Sequence, residues 1–322
     1  MKGPRSVRDS APRGRTDEVR AQDEARAEEE VLHGGTANRG EVVRVGDTVR
    51  RPRRSTSPAT HALLRHLADV GFDGAPRFLG EDDHGREVLS FLPGTPVVPP
   101  YPDWALTDEA LASVAHLLRA YHRAVASFDY TPHIWPPSPP AAYVEGLVSH
   151  NDLNLDNVVF RDGRAVALID FDLASPGSRL WDVACAARLW APLRPDGTID
   201  DDRRGLGLAR FQLFVDSYGV PARDRSRLVE AVRQNHGWFR ELIRTHAEEG
   251  HAVFAEHWNP EARERARRYG DWFAAHEQAM QRALLGPQPR TSRQGAIPQD
   301  AIPQGAIGRG SAQQGDTTPG GR

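Results

Sequence analysis

The sequence predicts an α+β protein of two lobes, a small β-sheet N-lobe followed by a larger helical C-lobe. Three observations predict it. Two β-prone runs meet at a turn dipeptide, Gly46-Asp47, near the start. A helix and one further strand follow before a proline-rich connector, VVPPYP. Beyond that connector the apolar period changes from that of strands to that of helices, with one polar stretch, NDLNLDN, enclosed by short apolar runs.

The elements follow in order. EVVRV and TVRR flank Gly46-Asp47 and read as a hairpin. Ser57 and Pro58 read as the N-cap and first position of a helix whose Leu63, Leu64 and Leu67 share a face. EVLSFL reads as a strand ending at Pro93-Gly94. Thr107 caps a helix carrying Leu111, Val114, Leu117, Leu118 and Tyr121 at helical spacing. LVSH and VVF border NDLNLDN, and AVALIDF follows the turn Asp162-Gly163. From Gly177 onward only helices are expected, one opening at Asn259-Pro260-Glu261. The lobes then span residues 31–93 and 94–286.

Residues 1–30 alternate Arg with Asp and Glu and carry almost no large apolar side chains, so they are expected to form a disordered tail. Residues 287–322, with the repeat QGAIP-QDAIP-QGAIG, are expected to form a second one. A net charge of −3, with 26% charged and 39% hydrophobic residues, calls for no nucleic-acid or membrane partner. No run approaches the roughly 18 apolar residues of a membrane helix, and the N-terminus lacks the apolar core of a secretory signal. The one cysteine, Cys185, has no internal disulfide partner. A cytoplasmic location is expected.

The segment from His150 to Asp172, HNDLNLDNVVFRDGRAVALIDFD, carries the chemistry. It places His150, Asp152 and Asn157 as His-x-Asp-x4-Asn, then delivers Asp170-Phe171-Asp172 at the end of an apolar strand. Phosphoryl transfer needs alignment and charge neutralisation more than covalent help. Asp152 is placed to orient an attacking hydroxyl and accept its proton. Asn157 and Asp170 are hard oxygen donors of the kind that hold Mg²⁺ against nucleotide phosphates. Asp152, Asn154 and Asp156 also begin a calcium-loop pattern, but that pattern needs Gly and Glu where the chain has Asn157 and Gly163. A plain polar surface loop leaves unexplained why Asp170 ends a strand as apolar as AVALI.

On these residues the chain resembles the aminoglycoside phosphotransferase and choline kinase superfamily, small-molecule kinases of protein-kinase-like fold. Asn151 stands where many members carry Gly, as in choline and ethanolamine kinases. The resemblance is sharp over residues 148–187 and loose over 31–286. It implies transfer of the γ-phosphoryl group of ATP or GTP to a small hydroxylated molecule, Asp152 as catalytic base and Asn157 and Asp170 as magnesium ligands. It further implies His150 as a loop-stabilising residue and Asp182, with Gly177 in GSRLWDVA, as a brace for the catalytic loop. The hinge gripping the base would be Ser90, Phe91 and Leu92.

The small lobe departs from the pattern. The phosphate-covering loop would be His33–Asn38, including Gly35, without G-x-G-x-x-G; an ordinary glycine turn reads equally well. The phosphate-binding Lys is replaced by Arg50 or, one residue on, Arg51, and its helix Glu partner by His61, which cannot form the usual ion bridge. The run Arg50, Arg51, Arg53, Arg54 also reads as a solvated patch. Beyond residue 200, Trp238, Phe239, Trp258, Tyr269 and Trp272 mix with Glu241, Glu248, Glu249, Glu256 and Asp271. Such a lining suits a cationic amino-alcohol or aminoglycoside; aromatics at helical spacing equally suit a core. Thirteen scattered histidines form no zinc motif. Some relatives are labelled as peptide-toxin immunity proteins, so a catalytically silent binding or immunity-type protein on the same scaffold is the alternative.

Overall fold

The computed structural model describes residues 29–32 and 41–285. Nearly all of both expected tails, and Gly35, lie outside the described residues. Strand pairing begins at Glu30, within the segment expected to be tail.

A five-stranded antiparallel sheet forms the small lobe. Its strands are β1 (Glu30–Val31), β2 (Val43–Val45), β3 (Thr48–Arg51), β4 (Phe78–Glu81) and β5 (Glu87–Ser90), in the order β1-β2-β3-β5-β4. The β2–β3 hairpin turns at Gly46, whose φ of 58° suits glycine. Helix α1 (Ser57–Asp69) follows β3 and buries Leu63, Leu64 and Leu67. Thr56 rather than Ser57 is its N-cap residue, and Pro58 sits in the first turn. Ser57 is free to do something else, described below. Strand β4 was not expected: it is short and broken by Gly80, whose φ is 136°.

The connector docks rather than hangs. Its strand β6 (Thr95–Pro96) pairs with β8 (Val158–Arg161), which pairs with β9 (Arg164–Leu168) across the turn at Asp162-Gly163. Between them in sequence come α2 (Asp108–Ala124) and β7 (Leu147–Ser149). Thr107 caps α2 by accepting from the Ala110 N–H at 3.1 Å. Strand β10 (Ser175–Gly177) pairs with β7. Gly177 is required there, because a Cβ would run into the Ser149 side chain.

The helices α3 (Arg179–Trp190), α4 (Gly207–Tyr218), α5 (Arg225–Glu248), α6 (Ala252–His257) and α7 (Pro260–Leu285) complete the C-lobe. The Asn259 carboxamide accepts from the Ala262 N–H at 2.8 Å, so the cap of α7 stands as the sequence implies. α2 packs on α4, α3 on α5, and α5 on α7. Trp181, Trp190, Phe211 and Phe214 are fully buried among them. No helix of the described residues is long and apolar enough to cross a membrane.

Candidate active site

The catalytic hairpin sets the geometry. β8 and β9 run antiparallel with Val158 opposite Leu168, so their open ends lie together, and the Ile169 N–H donates to the Asn157 carbonyl at 2.9 Å. Asn157 precedes β8 and Asp170 follows β9, so both reach one end of the hairpin. Asp170 has a left-handed backbone, φ 61° and ψ 70°, a conformation that costs a non-glycine residue energy and clusters at functional sites. Asp152 joins them through side chains. The Asn157 amide donates to the Asp152 carbonyl at 2.8 Å and to its carboxylate at 3.1 Å, and the Asn154 amide donates to the other carboxylate oxygen at 2.7 Å. With its NH₂ spent on Asp152, Asn157 has its Oδ1 left as the acceptor facing the cleft.

Helix α3 holds the loop from behind. Asp182, fully buried, accepts from the His150 N–H at 2.8 Å, the Asn151 N–H at 3.0 Å and His122 Nε2 at 3.0 Å. One turn on, Cys185 Sγ donates to the Asn151 carbonyl at 3.1 Å, and beyond it Trp190 Nε1 donates to the Leu153 carbonyl at 3.0 Å. Three side chains of one helix thereby fix His150, Asn151 and Leu153, on both sides of Asp152. Burial raises the Asp182 carboxyl, but the hydrogen bonds and charge of its partners outweigh it and hold the group below the ordinary value. His150 is locked by tautomer: Nδ1 accepts from the Asp152 N–H at 3.3 Å, so Nε2 carries the proton donated to the Ile169 carbonyl at 3.0 Å. Burial lowers its pKa in keeping with that neutral form. Asn151 adopts φ 66°, which explains why glycine serves at this position elsewhere. Its amide reaches the Leu173 carbonyl at 2.9 Å and Ser175 Oγ at 2.8 Å, tying the loop to the chain beyond Asp170.

The facing cation is Arg51, which corrects the expectation of Arg50. Strand alternation puts Arg51 on the face of Val49, both lining the cleft. Arg50 points the other way, with Nη1 3.5 Å from Asp82 Oδ2. Arg51 Nη1 lies 3.4 Å from Asp170 Oδ1, its Nη2 contacts Asp172, and its Nε lies 3.5 Å from Glu87 Oε1. Burial works against its charge, yet Asp172, Asp170 and Glu87 hold it firmly cationic.

The missing ion bridge is a second correction. The carboxylate comes from strand β5, not from the helix: Glu87 stands directly opposite Arg51 in the β3–β5 ladder. His61 binds the same carboxylate at 3.2 Å and stacks on Phe78, with ring centroids 3.7 Å apart. Ser57 Oγ also donates to Glu87 at 2.9 Å. The two helix residues expected to cap and to disrupt are the ones that dock α1 onto Glu87. Nor do the arginines form a basic patch: Arg54 Nε meets Asp172 at 2.8 Å and Arg53 meets Glu81 at 3.0 Å.

Between the lobes lies a cavity of about 350 Å³. Val49, Leu89, Val159 and Ile169 give it apolar walls from both lobes, with Asp156, Asn157 and Asp170 at one end. Ser90, Phe91 and Leu92 line it. The Ser90 N–H is already given to the Arg77 carbonyl and the Phe91 N–H to the Asp47 carbonyl. Leu92 N–H is left, among the described residues, for a ligand.

Electrostatically the floor is strained. Burial, then Asp170 and Asp156, push the Asp152 carboxyl well above the carboxylate range. Burial and Asp172 raise Asp170 to about 6, against the pull of Arg51. A divalent cation relieves such crowding. Among the described residues no group of three or more His, Cys, Asp or Glu is placed to hold a metal. The fit is instead to an ion taking Asp170, the Asn157 Oδ1 and a ligand's own oxygens, which is how magnesium is commonly held.

The aromatic and acidic residues beyond position 200 find partners within the C-lobe. Arg244 pairs with Glu241 and Glu248 on its own helix, and Arg267 with Asp271 at 2.6 Å. Trp238 packs edge-on against Trp181, and Trp272 stacks on His276. None of these lines the cleft. The charged side chain acting on Asp152 from this side is Arg188, whose Nε donates to Asn235 Oδ1 at 3.0 Å.

Known proteins match this arrangement. The model of the phosphotransferase enzyme family matches residues 133–214, which contain Asp152, Asn157, Asp170 and Asp182. The Trifolitoxin immunity protein of Rhizobium leguminosarum bv. trifolii is 34% identical over 211 residues, 62% of this chain and 78% of that protein. A choline/ethanolamine kinase family protein from Mesorhizobium loti is similar in structure, with a TM-score of 0.51 at 16% identity over 84% of this chain and 99% of that one. A GDP complex of a mutant aminoglycoside 2'-phosphotransferase-IIIa gives a TM-score of 0.51 at 15% identity, over 82% and 98%. With this family match and a relative covered over 78% of its length, the chain belongs to the phosphotransferase enzyme family, and its two-lobe fold is kinase-like.

Proposed function

We propose that the protein is a small-molecule kinase, transferring the γ-phosphoryl group of ATP or GTP to a hydroxyl of a small metabolite or antibiotic such as an aminoglycoside or amino-alcohol. The observation that carries this reading is the pairing of Asn157 and Asp170 at the wall of an apolar inter-lobe cavity, with Asp152 hydrogen-bonded to Asn157 behind them. In this reading the base lies between Val49, Leu89, Val159 and Ile169, and its edge pairs with Leu92 N–H. Arg51 offers guanidinium N–H groups to the phosphates. Asp170 and Asn157 Oδ1 hold Mg²⁺, which when bound neutralises phosphate charge and aligns the transferred group. Asp152 orients the acceptor hydroxyl and takes its proton. The reading places the protein in the cytoplasm, where a lone thiol such as Cys185 stays reduced.

The test is acceptor-dependent release of nucleoside diphosphate, screened with Mg²⁺ and ATP or GTP over amino-alcohols, aminoglycosides, sugars and acidic hydroxylated metabolites. The last group is included because Arg188 acts on Asp152. Turnover that vanishes in Asp152→Asn supports the mechanism; normal turnover by that variant overturns it.

A second reading is favoured by one observation, the 34% identity to the Trifolitoxin immunity protein. It makes the protein an immunity-type binder on the same scaffold, without turnover. Thermal stabilisation by ADP that requires Mg²⁺ supports the kinase; absence of any shift supports the silent binder.

A further inference from the structure

A second cavity among the described residues lies apart from the inter-lobe cleft. It measures about 710 Å³, is recessed into the C-lobe, and shares no lining residue with the cleft. Its walls are the end of α2, the loop into β7, the start of α3 and the corner between α4 and α5. Arg119, Arg123, Arg179, Arg223 and Arg227 line it against two carboxylates, Glu145 and Asp224, an excess of three positive charges. The carboxylates are already engaged: Glu145 with Arg227 at 3.0 Å and Asp224 with Arg223 at 3.8 Å. Arg119, Arg123 and Arg179 meet no carboxylate among the described residues. Elsewhere in this chain arginines on helices and strands commonly find an acid, as at Arg53, Arg233, Arg244 and Arg267. Three unneutralised guanidinium groups converging on a concave site repel one another unless an anion is present.

The cavity also touches the machinery of the catalytic loop from behind. Tyr218, 7% exposed, lies at its inner wall, and Arg179, Arg119 and Arg123 all act on its hydroxyl. Burial keeps that phenol protonated, so it donates to His122 Nδ1 at 2.7 Å. His122 Nε2 then donates to Asp182 at 3.0 Å, and Asp182 holds the His150 and Asn151 N–H groups. One unbroken hydrogen-bonded chain runs from the arginine cavity to the residues flanking Asp152.

We infer that this cavity binds a small anion bearing two or more phosphate groups, and that its occupancy is transmitted through Tyr218, His122 and Asp182 to the catalytic loop. The chemistry follows from the walls. Guanidinium groups fork onto phosphate oxygens through paired N–H donors. An excess of three charges matches a di- or triphosphate better than a single carboxylate. A recess enclosed by four elements suits a small molecule rather than a polymer laid on a surface. The inference does not depend on the kinase reading, because its readouts are binding and amide exchange.

The probe is inorganic pyrophosphate, titrated calorimetrically into the full chain with EDTA present. Binding at the cleft, where Arg51 also faces phosphates, is separated by repeating the titration with Arg51→Ala, a position outside this cavity. Saturable binding is expected, weakening with added salt and falling about tenfold for Arg123→Ala and for Arg179→Ala. Both side chains are exposed, so these variants are expected to fold. Undiminished binding in both variants, or no binding by the wild type, overturns the site. In the second readout, pyrophosphate slows exchange of the His150 and Asn151 amides in the wild type but not in Tyr218→Phe, which still binds it. Binding with no change at those amides in the wild type overturns the transmission.

Discussion

The two walls of the cleft face each other but are held by different physics. On the C-lobe side, the loop from His150 to Leu153 is fixed by backbone and side-chain hydrogen bonds to Asp182, Cys185 and Trp190, all projecting from one buried helix. On the N-lobe side, Arg51 is fixed by ion pairs to Glu87, Asp170 and Asp172, across a sheet and across the cleft itself. The first arrangement is local in sequence, buried and closed. The second joins two lobes through one long side chain whose partners include a residue proposed to bind metal. The comparison teaches that the loop arrives preorganised, whereas the cation opposite it is an exchangeable clamp. Arg51 occupies the space beside Asp170 with its own positive charge, and a nucleotide with its metal ion would compete for the same carboxylate.

The largest effect separates chemistry from scaffold. Asp152→Asn keeps the size of the side chain and one of the two oxygens that accept from Asn154 and Asn157, while removing the proton acceptor. Turnover is expected to fall by roughly 10²–10⁴-fold, with nucleotide affinity and Tm nearly unchanged, checked by steady-state rates beside thermal unfolding. A comparable loss of nucleotide affinity would show that Asp152 belongs to the ligand-binding wall instead.

Asp182→Ala tests the closed side. It strands the His150 and Asn151 N–H groups and His122 in a buried site. Losing the acceptor of such a network costs roughly 3–5 kcal/mol, a fall in Tm on the order of 10 °C. The pH dependence sharpens this. The folded-state pKa of Asp182 is depressed below its ordinary 3.8. Its stabilising contribution is therefore fully present above pH 3.8 and is lost as the pH falls through the lower folded value. The stability gap between the wild type and Asp182→Asn should be constant near neutrality and close only in acid below that value. A gap that closes between pH 5 and 7 would assign it to another group, since the carboxylate titrates below that range.

This division also explains what the sequence disclosed. The loop was legible because most of its determinants lie within residues 150–190 and act over short separations: a polar run between apolar strands, a turn, a capped helix. Asp170 could be placed because AVALI after the Asp162-Gly163 turn reads as a strand, and β9 spans Arg164–Leu168 with Ala167 and Leu168 buried. The small lobe was not legible to the same degree, because its key contacts depend on register. Choosing Arg51 over Arg50 needed the period-two alternation that sets Arg51 beside Val49. Finding Glu87 needed the knowledge that TVRR pairs with EVLS so that Arg51 meets Glu87. Ser57 looked like a cap because its position relative to Pro58 is that of a cap; only the fold shows Glu87 within reach of its hydroxyl. The chain His122–Tyr218 spans 96 residues and left no local signature at all.

The clamp predicts a smaller, paired effect. Arg51→Ala removes the one cation shared by Glu87, Asp170 and Asp172. It should weaken nucleotide binding about tenfold or more through the lost charge-assisted hydrogen bonds to phosphate. It should also lower Tm, because Glu87 keeps only His61 and Ser57 as partners. Arg51→Lys should restore charge but not the forked geometry, and recover affinity only in part. Glu87→Gln probes the same clamp from its other end: Arg51 then has only Asp170 and Asp172 to hold it, and should be drawn more tightly across the cleft, raising the Mg²⁺ concentration needed for nucleotide binding.

Arg50→Ala carries the smallest expected effect and is the sharpest test of the strand register. Arg50 and Arg51 are adjacent, carry the same charge and lie in the same strand; they differ only in which face of β3 they leave. Arg50 pairs with Asp82, which Arg86 already holds at 2.8 Å. Removing one of two cations from a pair near the surface should cost about 0–1 kcal/mol. Nucleotide affinity should not change, because the side chain does not line the cleft. If Arg50→Ala and Arg51→Ala weakened nucleotide binding equally, through-space charge rather than position would govern the small lobe, and the idea of a geometric clamp would be lost. If only Arg51 matters, one residue of register in a four-residue strand decides which arginine serves the site.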